Sequence, residues 1–289
     1  MPSTMTPLRY PGGKSQLSDF VAHTIEINNI KHPIYCEPFS GGAGVAMSLL
    51  LDNKVDSIIL NDLDTAIYSI WNAILNDTDR FTSVIRNVDI SLNTWQQQKE
   101  IYNRMRNRMG YSFELAFAAF FLNRTNRSGI ITGGPIGGRE QTGKYLIDCR
   151  FNKDTLIKKI NAIAKCRDRI QLFHLDAVDF IRNILHQRPE NNLFIFFDPP
   201  YYRQGKQLYK DAFNDQKHRQ LFMSIQTLQN YHWIVTYDDA PEIEEIYARD
   251  NEVMRYTLQY MATQKRREQE LFFHSPITHI ESFNKVQFF

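Results

Sequence analysis

Residues Leu193 to Tyr202 read LFIFFDPPYY, and this stretch decides how the rest of the chain is interpreted. An uncharged apolar run, Leu193 to Phe197, stops at Asp198 and the prolines that follow it. Short apolar runs rich in Phe and Ile are typical of buried parallel strands. Because proline has a fixed φ and lacks an N–H donor, the strand must end here. Open α/β sheets bind ligands at the carboxyl ends of their strands, so the pattern predicts a ligand site at Asp198.

The composition of the 289 residues is that of a globular protein, with 43% hydrophobic and 23% charged residues. This length permits one large domain, or a large domain with a smaller one. No apolar run approaches the roughly 18 residues of a membrane span, and the first residues contain no signal-peptide core. The cysteines, Cys36, Cys149 and Cys166, are too scattered for a disulfide framework or a metal site. We therefore expect a cytoplasmic protein without a membrane or metal partner.

One segment of the chain is strongly basic, although the net charge is only +2. Residues 103–169 hold 14 Lys and Arg against 5 Asp and Glu, so the remainder of the chain is acidic. A solvated surface would explain this charge, and so would a module that binds phosphates. Polar, glycine-rich loops at residues 123–129 and 133–138 display Arg124, Arg127 and Arg139, as functional loops do.

A nucleoside-binding unit is predicted near the beginning of the chain. A short strand at residues 33–37 leads into a glycine-rich turn at residues 38–44 and then into an apolar helix. A second strand, residues 57–60, ends before Asp62, which follows Gly41 by 21 residues. A carboxylate at this spacing usually accepts the ribose hydroxyls. Because the turn is not GxGxxG, we expect a nucleoside cofactor without a pyrophosphate.

Further strands are predicted in the second half of the chain. They are residues 169–175, 232–236, 253–260 and 270–274, the last two paired around a charged turn at residues 265–268. Asp176, or Asp179 with Phe180, would follow the first of these strands on the ligand side of the sheet.

The sequence Asp-Pro-Pro-Tyr at residues 198–201 suits the activation of a nucleobase amine. Such an amine is a poor nucleophile because its lone pair is delocalised into the ring. The Asp198 carboxylate and the Pro199 carbonyl could each accept one amine N–H and localise that lone pair, while Tyr201 stacks on the base. The prolines fix these acceptors in advance, which reduces reorganisation during the reaction.

Taken together, the motifs resemble the DNA adenine-N6 methyltransferases of the Dam-type, or D12, family. In the family's order they are RYPGGK (9–14), EPFSGGAG (37–44), ND (61–62), NRTNRSG (123–129), DF (179–180) and DPPY (198–201). The resemblance implies an α/β fold, a Rossmann-like seven-stranded class I methyltransferase sheet with an inserted helical target-recognition domain. It places the catalytic domain at residues 1–75 and 165–289 and the DNA target-recognition domain at residues 76–164.

The resemblance also implies roles for individual residues, with S-adenosyl-L-methionine as methyl donor. The implied catalytic residues are Asp198, Pro199, Pro200 and Tyr201. The implied cofactor-binding residues are Tyr10, Gly12, Lys14, Glu37, Phe39, Gly41, Asp62, Asp179, Phe180 and Asp198. The implied DNA-binding residues are Asn123, Arg124, Arg127, Ser128, Thr132 and Arg139.

Two positions depart from the family pattern. Ala43 stands where the common FxGxG turn has its second glycine, with Gly44 just after it. Thr132 stands nine residues after Asn123, where GATC-specific members carry an Arg that reads a guanine. Because Thr cannot make the bidentate guanine contact of Arg, we expect a recognition sequence other than GATC.

Several alternatives remain open at this point. Methylation of cytosine N4 could use the same geometry. A methyltransferase that acts on amines of RNA or protein is a further alternative. The protein could also be a DNA-binding protein whose methyltransferase fold has lost its activity. The leading prediction is methylation of N6 on an adenine flipped out of double-stranded DNA. A bacterial or phage-encoded monomer is expected, with a dimer as the alternative, and a cognate restriction endonuclease is an optional partner in a restriction–modification system.

Overall fold

The computed structural model describes residues 4–10, 13–203, 213–248, 252–261 and 265–289. Seven strands form one mixed sheet. The strands are β1 (Ile34–Glu37), β2 (Ser57–Asn61), β3 (Ile170–Phe173), β4 (Leu193–Phe197), β5 (His232–Asp238), β6 (Met254–Met261) and β7 (Lys265–His274). The longer helices in these residues are α1 (Ser18–Ile27), α2 (Gly44–Leu51), α3 (Thr65–Asn76), α4 (Thr78–Asn87), α5 (Leu92–Met105), α6 (Phe113–Thr125), α7 (Lys153–Ala164), α8 (Ala177–Asn183), α9 (Asp215–Ile225) and α10 (Pro241–Tyr247).

The sheet has the order β3-β2-β1-β4-β5-β7-β6, and β4 lies at its centre. All side chains of β4 are buried, as its apolar sequence predicts. Ile195 pairs in parallel with Cys36 of β1 on one side and with Trp233 of β5 on the other. β7 runs antiparallel to both β5 and β6. The strand order reverses between β1 and β4. At such a topological switch point, open α/β sheets bind ligands in the crevice outside the carboxyl ends of the strands.

Both faces of the sheet are covered, as a largely parallel sheet requires. Alternate side chains of β4 enter different clusters: Phe194 and Phe196 join the helices of the first half of the chain. Ile195 and Phe197 instead pack with α8, α9 and α10 on the opposite face. The predicted seven-stranded α/β sheet is therefore confirmed.

The charged residues 265–268 correct one expectation. They were predicted to form the turn between the last two strands, but they belong to β7. Backbone pairing with β6 continues through them, with Gln259 opposite Arg267 and Tyr260 opposite Arg266. The backbone hydrogen bonds of the antiparallel pair thus outweigh the low strand propensity of these charged residues. The connection between the two strands falls at residues 262–264, outside the described residues.

The segment predicted as the recognition domain, residues 76–164, contains α4 to α7. Its central helix, α6, is buried along almost its whole length. Phe120 of α6 packs on Phe81 of α4, with ring centroids 5.2 Å apart, and on Phe151, at 6.0 Å. These rings belong to the same buried cluster as α1, α2 and α3. The division of the chain into two domains stays a prediction.

Candidate active site

Asp198 directly follows β4, at the crevice where the strand order reverses. Its side chain is 26% exposed, and its Oδ1 accepts a hydrogen bond of 3.0 Å from the hydroxyl of Thr236 on β5. Burial raises the pKa of Asp198, an effect opposed mainly by the nearby Lys14 ammonium. The neighbouring Pro199 is buried and Pro200 half-buried, so the chain around the carboxylate is held by packing as well as by fixed φ.

A buried polar network lies beside this carboxylate. The Lys14 ammonium is 3.5 Å from Oδ1 of Asp198 and 3.3 Å from Oε1 of Glu270. Lys14 also donates to the hydroxyl of Tyr201, which in turn donates to Oε1 of Glu270 over 2.6 Å. The second oxygen of Glu270 accepts the hydroxyl of Tyr256. The network therefore brings together three predicted site residues, Lys14, Tyr201 and Asp198.

Sequence reasoning did not find Glu270, Tyr256 or Thr236. Glu270 and Tyr256 are paired residues on β7 and β6, and Thr236 lies on β5. The one available signal is a carboxylate, Glu270, at the start of the apolar run Leu271 to Phe273. Charged residues are rarely buried without a partner, so a carboxylate beside a buried strand is expected to have a cation or hydrogen-bond donor next to it.

The glycine-rich turn after β1 makes a hydrogen bond to Asp62, whose predicted role in binding ribose stays a prediction. The backbone N–H of Gly41 donates to Oδ2 of Asp62 over 2.7 Å, and its carbonyl accepts the indole N–H of Trp71 over 2.9 Å. Gly41 has φ +44°, and a Cβ there would lie 2.8 Å from the ring of Tyr10. The positive φ therefore favours glycine here, and the ring of Tyr10 packs over the position that a side chain would occupy.

Ala43 adopts a conformation that favours glycine. Its φ is +45° and its ψ +42°, at the residue that precedes α2. For an L-residue other than glycine this region costs roughly 1–2 kcal/mol. The departure from the FxGxG pattern is therefore tolerated by keeping the glycine conformation, and the side chain is small enough to stay buried there.

Two carboxylates of this region have raised pKa values. Burial raises the pKa of Asp62 to about 7, with Asp64 adding to the effect. Burial likewise raises the pKa of Glu37 to about 8, although Tyr35 and the Ala46 N–H each donate to its Oε1 over 3.0 Å. Glu37 stabilises the start of α2 through Ala46, and Asp62 retains acceptor capacity for hydroxyl groups of a ligand.

The other predicted cofactor residues each have a different environment. Phe39 is half-buried after β1, and its ring lies 6.1 Å from that of Phe213. Phe180 is fully buried among α8 and its neighbours. Asp179 is exposed and lies 3.6 Å from Arg182. Asp176, the alternative considered above, caps α8 at the sheet edge by accepting the N–H of Val178. Gly12 lies outside the described residues.

The first predicted DNA-binding residues face inward. Asn123 is 1% exposed, and its amide exchanges two hydrogen bonds, of 2.9 and 2.6 Å, with the backbone of Arg9. Arg124 is half-buried; its Nε donates to the carbonyl of Arg150 over 2.8 Å and one terminal nitrogen to that of Pro7 over 3.3 Å. Burial lowers the pKa of Arg124 to about 9. Contact of these two residues with DNA remains a prediction, and it would require them to give up backbone partners.

The remaining predicted DNA contacts lie on an exposed, ordered loop surface. Arg127, Ser128, Thr132 and Arg139 are all exposed. The loop is organised from within by Asn126, a residue that is 0% exposed. Its amide nitrogen donates to three loop carbonyls and its oxygen accepts the indole N–H of Trp95 over 2.7 Å. A cleft of about 470 Å³ lies beside it, lined by Arg127, Ile136, Gly137, Gly138, Arg139, Glu140, Thr142, Gly143, Lys144 and Tyr145.

The described residues include no group of three or more His, Cys, Asp or Glu able to hold a metal ion. None of their helices is long and apolar enough to cross a membrane. The three cysteines are free, with Cys36 buried and Cys149 exposed.

The sheet order, with a carboxylate at the point where it reverses, defines a Rossmann-like α/β fold of the kind that binds nucleoside-containing ligands. A family profile described as "D12 class N6 adenine-specific DNA methyltransferase" matches residues 10–264. The chain belongs to this family, as the sequence motifs predicted, and its methyl donor is S-adenosylmethionine.

Comparison with curated proteins gives no significant match. Among solved structures, the rRNA methyltransferase aviRa from Streptomyces viridochromogenes is 12% identical, with a TM-score of 0.43 over 96% of this chain and 94% of that chain. The putative RNA methyltransferase PH1948 from Pyrococcus horikoshii is 10% identical, with a TM-score of 0.41 over 95% of this chain and 88% of that chain. SMU.472, a putative methyltransferase complexed with SAH, is 11% identical, with a TM-score of 0.38 over 96% of this chain and 55% of that chain. Similarity at this level says nothing of the substrate.

Proposed function

We propose that this protein transfers a methyl group to N6 of an adenine flipped out of double-stranded DNA. The observation that carries the proposal is the Asp198 carboxylate at the switch point, held by Thr236 and Lys14 and followed by rigid prolines and an aromatic ring. The family of the chain supports adenine as the base and DNA as the polymer.

The chain's own residues would activate the amine. Asp198 and the carbonyl of Pro199 accept the two N–H groups of N6, which localises its lone pair toward the incoming methyl group. S-adenosylmethionine, with its ribose held by Asp62, would supply an electrophilic methyl group on a positively charged sulfur, and the neutral thioether would be the leaving group as N6 accepts the methyl group. The amine then loses one proton to Asp198 or to water. Pre-positioned acceptors need little reorganisation, so positioning alone can lower the barrier by several kcal/mol.

The other proposed site residues serve binding. Asp62, beside the Gly41 N–H, would accept the ribose hydroxyls of the cofactor. Tyr201 would stack on the flipped base, which the duplex can release only by extrusion. Arg127 and Arg139, exposed next to the loop cleft, would contact DNA phosphates. Thr132, exposed on the same loop, supports a recognition sequence other than GATC.

Expression in a host without DNA methylation, followed by nucleoside analysis, tests this function. We expect N6-methyladenine in the host DNA, and mapping of the modified bases gives the recognition sequence. N4-methylcytosine instead would favour the alternative amine, and the absence of any methylated base would contradict the proposal.

The matched variants are Asp198→Ala and Asp52→Ala. Asp198→Ala should abolish methyl transfer while calorimetry still detects S-adenosylmethionine binding, because Lys14 keeps Glu270 as a partner. Asp52 is an exposed carboxylate at the far end of α2, and its variant should keep full activity. Full activity of Asp198→Ala would exclude the proposed mechanism. Failure of the wild type to bind the cofactor would favour a degenerate, DNA-binding role.

A role in restriction–modification, a cognate endonuclease, cytoplasmic localisation and the monomeric state remain predictions. The first two are tested by the genes beside the coding sequence, and the last by the mass of the purified protein in solution.

A further inference from the structure

Glu270 is a buried carboxylate among the site residues, although it belongs to none of the sequence motifs. It is 1% exposed on β7, opposite Asp238 of β5 and Tyr256 of β6. A carboxylate is costly to bury unless cations and hydrogen-bond donors compensate it. The partners that compensate Glu270 therefore indicate what it does.

Each oxygen of Glu270 has a distinct set of partners. Oε2 accepts the hydroxyl of Tyr256, which fixes the carboxylate plane from β6. Oε1 accepts the Tyr201 hydroxyl over 2.6 Å and the Lys14 ammonium over 3.3 Å. A single oxygen atom thus sets the position of Lys14 relative to the Tyr201 side chain.

Lys14 also lies 3.5 Å from Oδ1 of Asp198, between the two carboxylates. A lysine carries its charge on a flexible four-carbon stem with many rotamers. Burial and the hold of Glu270 remove this freedom and leave the ammonium beside Asp198.

We propose that Glu270 is a positioning residue for methyl transfer, which fixes Lys14 beside Asp198 and holds Tyr201 where it would stack on the base. The proposal rests on the functions proposed above for Asp198 and Tyr201. Glu270 touches neither substrate nor cofactor in this role; it acts through the two residues that do.

Charged and titratable groups face Asp198 from several elements, and a test must account for each. They are Lys14 before α1, Tyr35 and Glu37 of β1, Tyr237 of β5 and Glu270 of β7. Of these, Lys14 lowers the pKa of Asp198 and Glu270 raises it, while the hydroxyl of Thr236 lowers it. Displacement of Lys14 should therefore raise the pH midpoint of the Asp198 titration, whereas loss of the Glu270 charge alone should lower it.

The test is an NMR titration of the full-length protein with ¹³C-labelled Asp carboxyl groups, the Asp198 signal being assigned with Asp198→Asn. Glu270→Gln keeps the size of the side chain but removes the charge that holds Lys14. Because the effect of Lys14 on Asp198 is larger than the repulsion by Glu270, release of Lys14 should raise the Asp198 midpoint. Thr236→Val removes a donor to the carboxylate, so its midpoint should also rise, which shows that the signal responds to lost partners. A lowered or unchanged midpoint in Glu270→Gln would mean that Lys14 keeps its place without Glu270, and it overturns the proposal.

The same variants are then compared in activity. Because the Asp198 carboxylate must be ionised to accept the amine, the acidic limb of kcat/KM should move to higher pH in Glu270→Gln, as it should in Thr236→Val. A residue that only stabilises the fold would lower activity without moving the limb.

If Glu270→Gln does not fold, Glu270→Asp keeps the charge but shortens the side chain. Its kcat should then fall by about ten-fold or more, because the ammonium and the Tyr201 hydroxyl lose their common acceptor. An unchanged kcat overturns the proposal. A wild type that fails to methylate adenine would contradict the proposed function. The NMR titration needs no substrate, so its result for Glu270 can be interpreted in either case.

Discussion

Gly129 packs against the backbone of Arg9 so closely that a Cβ at Gly129 would lie 2.3 Å from the Arg9 carbonyl oxygen. The contact is reinforced by Asn123, whose amide binds the backbone of both residues. It joins the exposed basic loop to the segment that carries Tyr10 and Lys14. The proposed DNA surface is thus attached to the segment that leads to Lys14.

Gly129→Ala should lower the free energy of unfolding by about 3 kcal/mol. The reason is the sum of a strained φ of +80° and a clash with backbone that cannot move aside. Urea denaturation measures the loss. Gly110 is the matched control, because its φ is +78° but no atom lies within 4 Å of its Cβ position. Gly110→Ala should cost only about 1 kcal/mol, from strain alone; equal losses would mean that the Arg9 contact is unimportant.

Arg127→Ala and Arg124→Ala should have different effects. Arg127 is exposed, so its variant should weaken DNA binding with little change in stability, and the slope of log K against log salt should decrease by about 0.9. Arg124 holds the Arg150 and Pro7 carbonyls, so its variant should mainly lower the unfolding midpoint. Fluorescence anisotropy over a salt series and thermal denaturation measure the two effects. Similar salt slopes for wild type and Arg127→Ala would argue against a phosphate contact.

The stability of the cofactor-free protein should decrease as the pH rises from 6 to 8. Glu37 has a pKa of about 8 in the folded protein, well above the ordinary value, so folding retains a proton that the unfolded chain releases. Stability from this group is complete below the ordinary pKa and is lost as the pH rises through about 8. Over this range Glu37 contributes a loss of roughly 2 kcal/mol.

Thermal denaturation across this pH range provides the check, with Glu37→Gln as the comparison. The glutamine oxygen can still accept from Tyr35 and Ala46, but it does not titrate. Its stability should therefore decrease less with pH than that of the wild type. A wild type that becomes more stable toward pH 8 would contradict the raised pKa.

S-adenosylmethionine should bind more weakly below pH 7. Burial raises the pKa of Asp62 to about 7, and the protonated carboxyl is a poorer acceptor for ribose hydroxyls. The dissociation constant should increase by up to about ten-fold between pH 8 and pH 6, as measured by calorimetry. Asp62→Asn should bind weakly with a flatter pH dependence. A pH-independent affinity in the wild type would remove Asp62 from the cofactor site.

The strands and the Gly41–Asp62 pair could be predicted because their signals are local. An apolar run ending in prolines must be a buried strand, and a carboxylate at the end of the next strand must come close to the first turn. The 2.7 Å hydrogen bond between Gly41 and Asp62 is the direct result of that geometry.

Features that depend on neighbours distant in sequence could not be predicted. Glu270 becomes a site residue only because the sheet order places β7 next to β5. Asn123 and Arg124 carry the chemistry of DNA contacts, but their burial depends on the packing of residues 7–9 against α6. The charged residues 265–268 resemble a turn, because the sequence alone does not show the cross-strand hydrogen bonds with β6 that extend β7 through them.

The network around Glu270 also bears on when the protein acquires activity during synthesis. Lys14 and Glu270 are separated by 256 residues, so the two halves of the network come from opposite ends of the chain. A nascent chain on the ribosome can form the strands that carry Asp62 and Asp198 while β7 is still being made. Before β7 is added to the sheet, Lys14 can pair with Asp198 but not with Glu270, so the complete network, and the methylation competence proposed to depend on it, should form only after β7 has been synthesised.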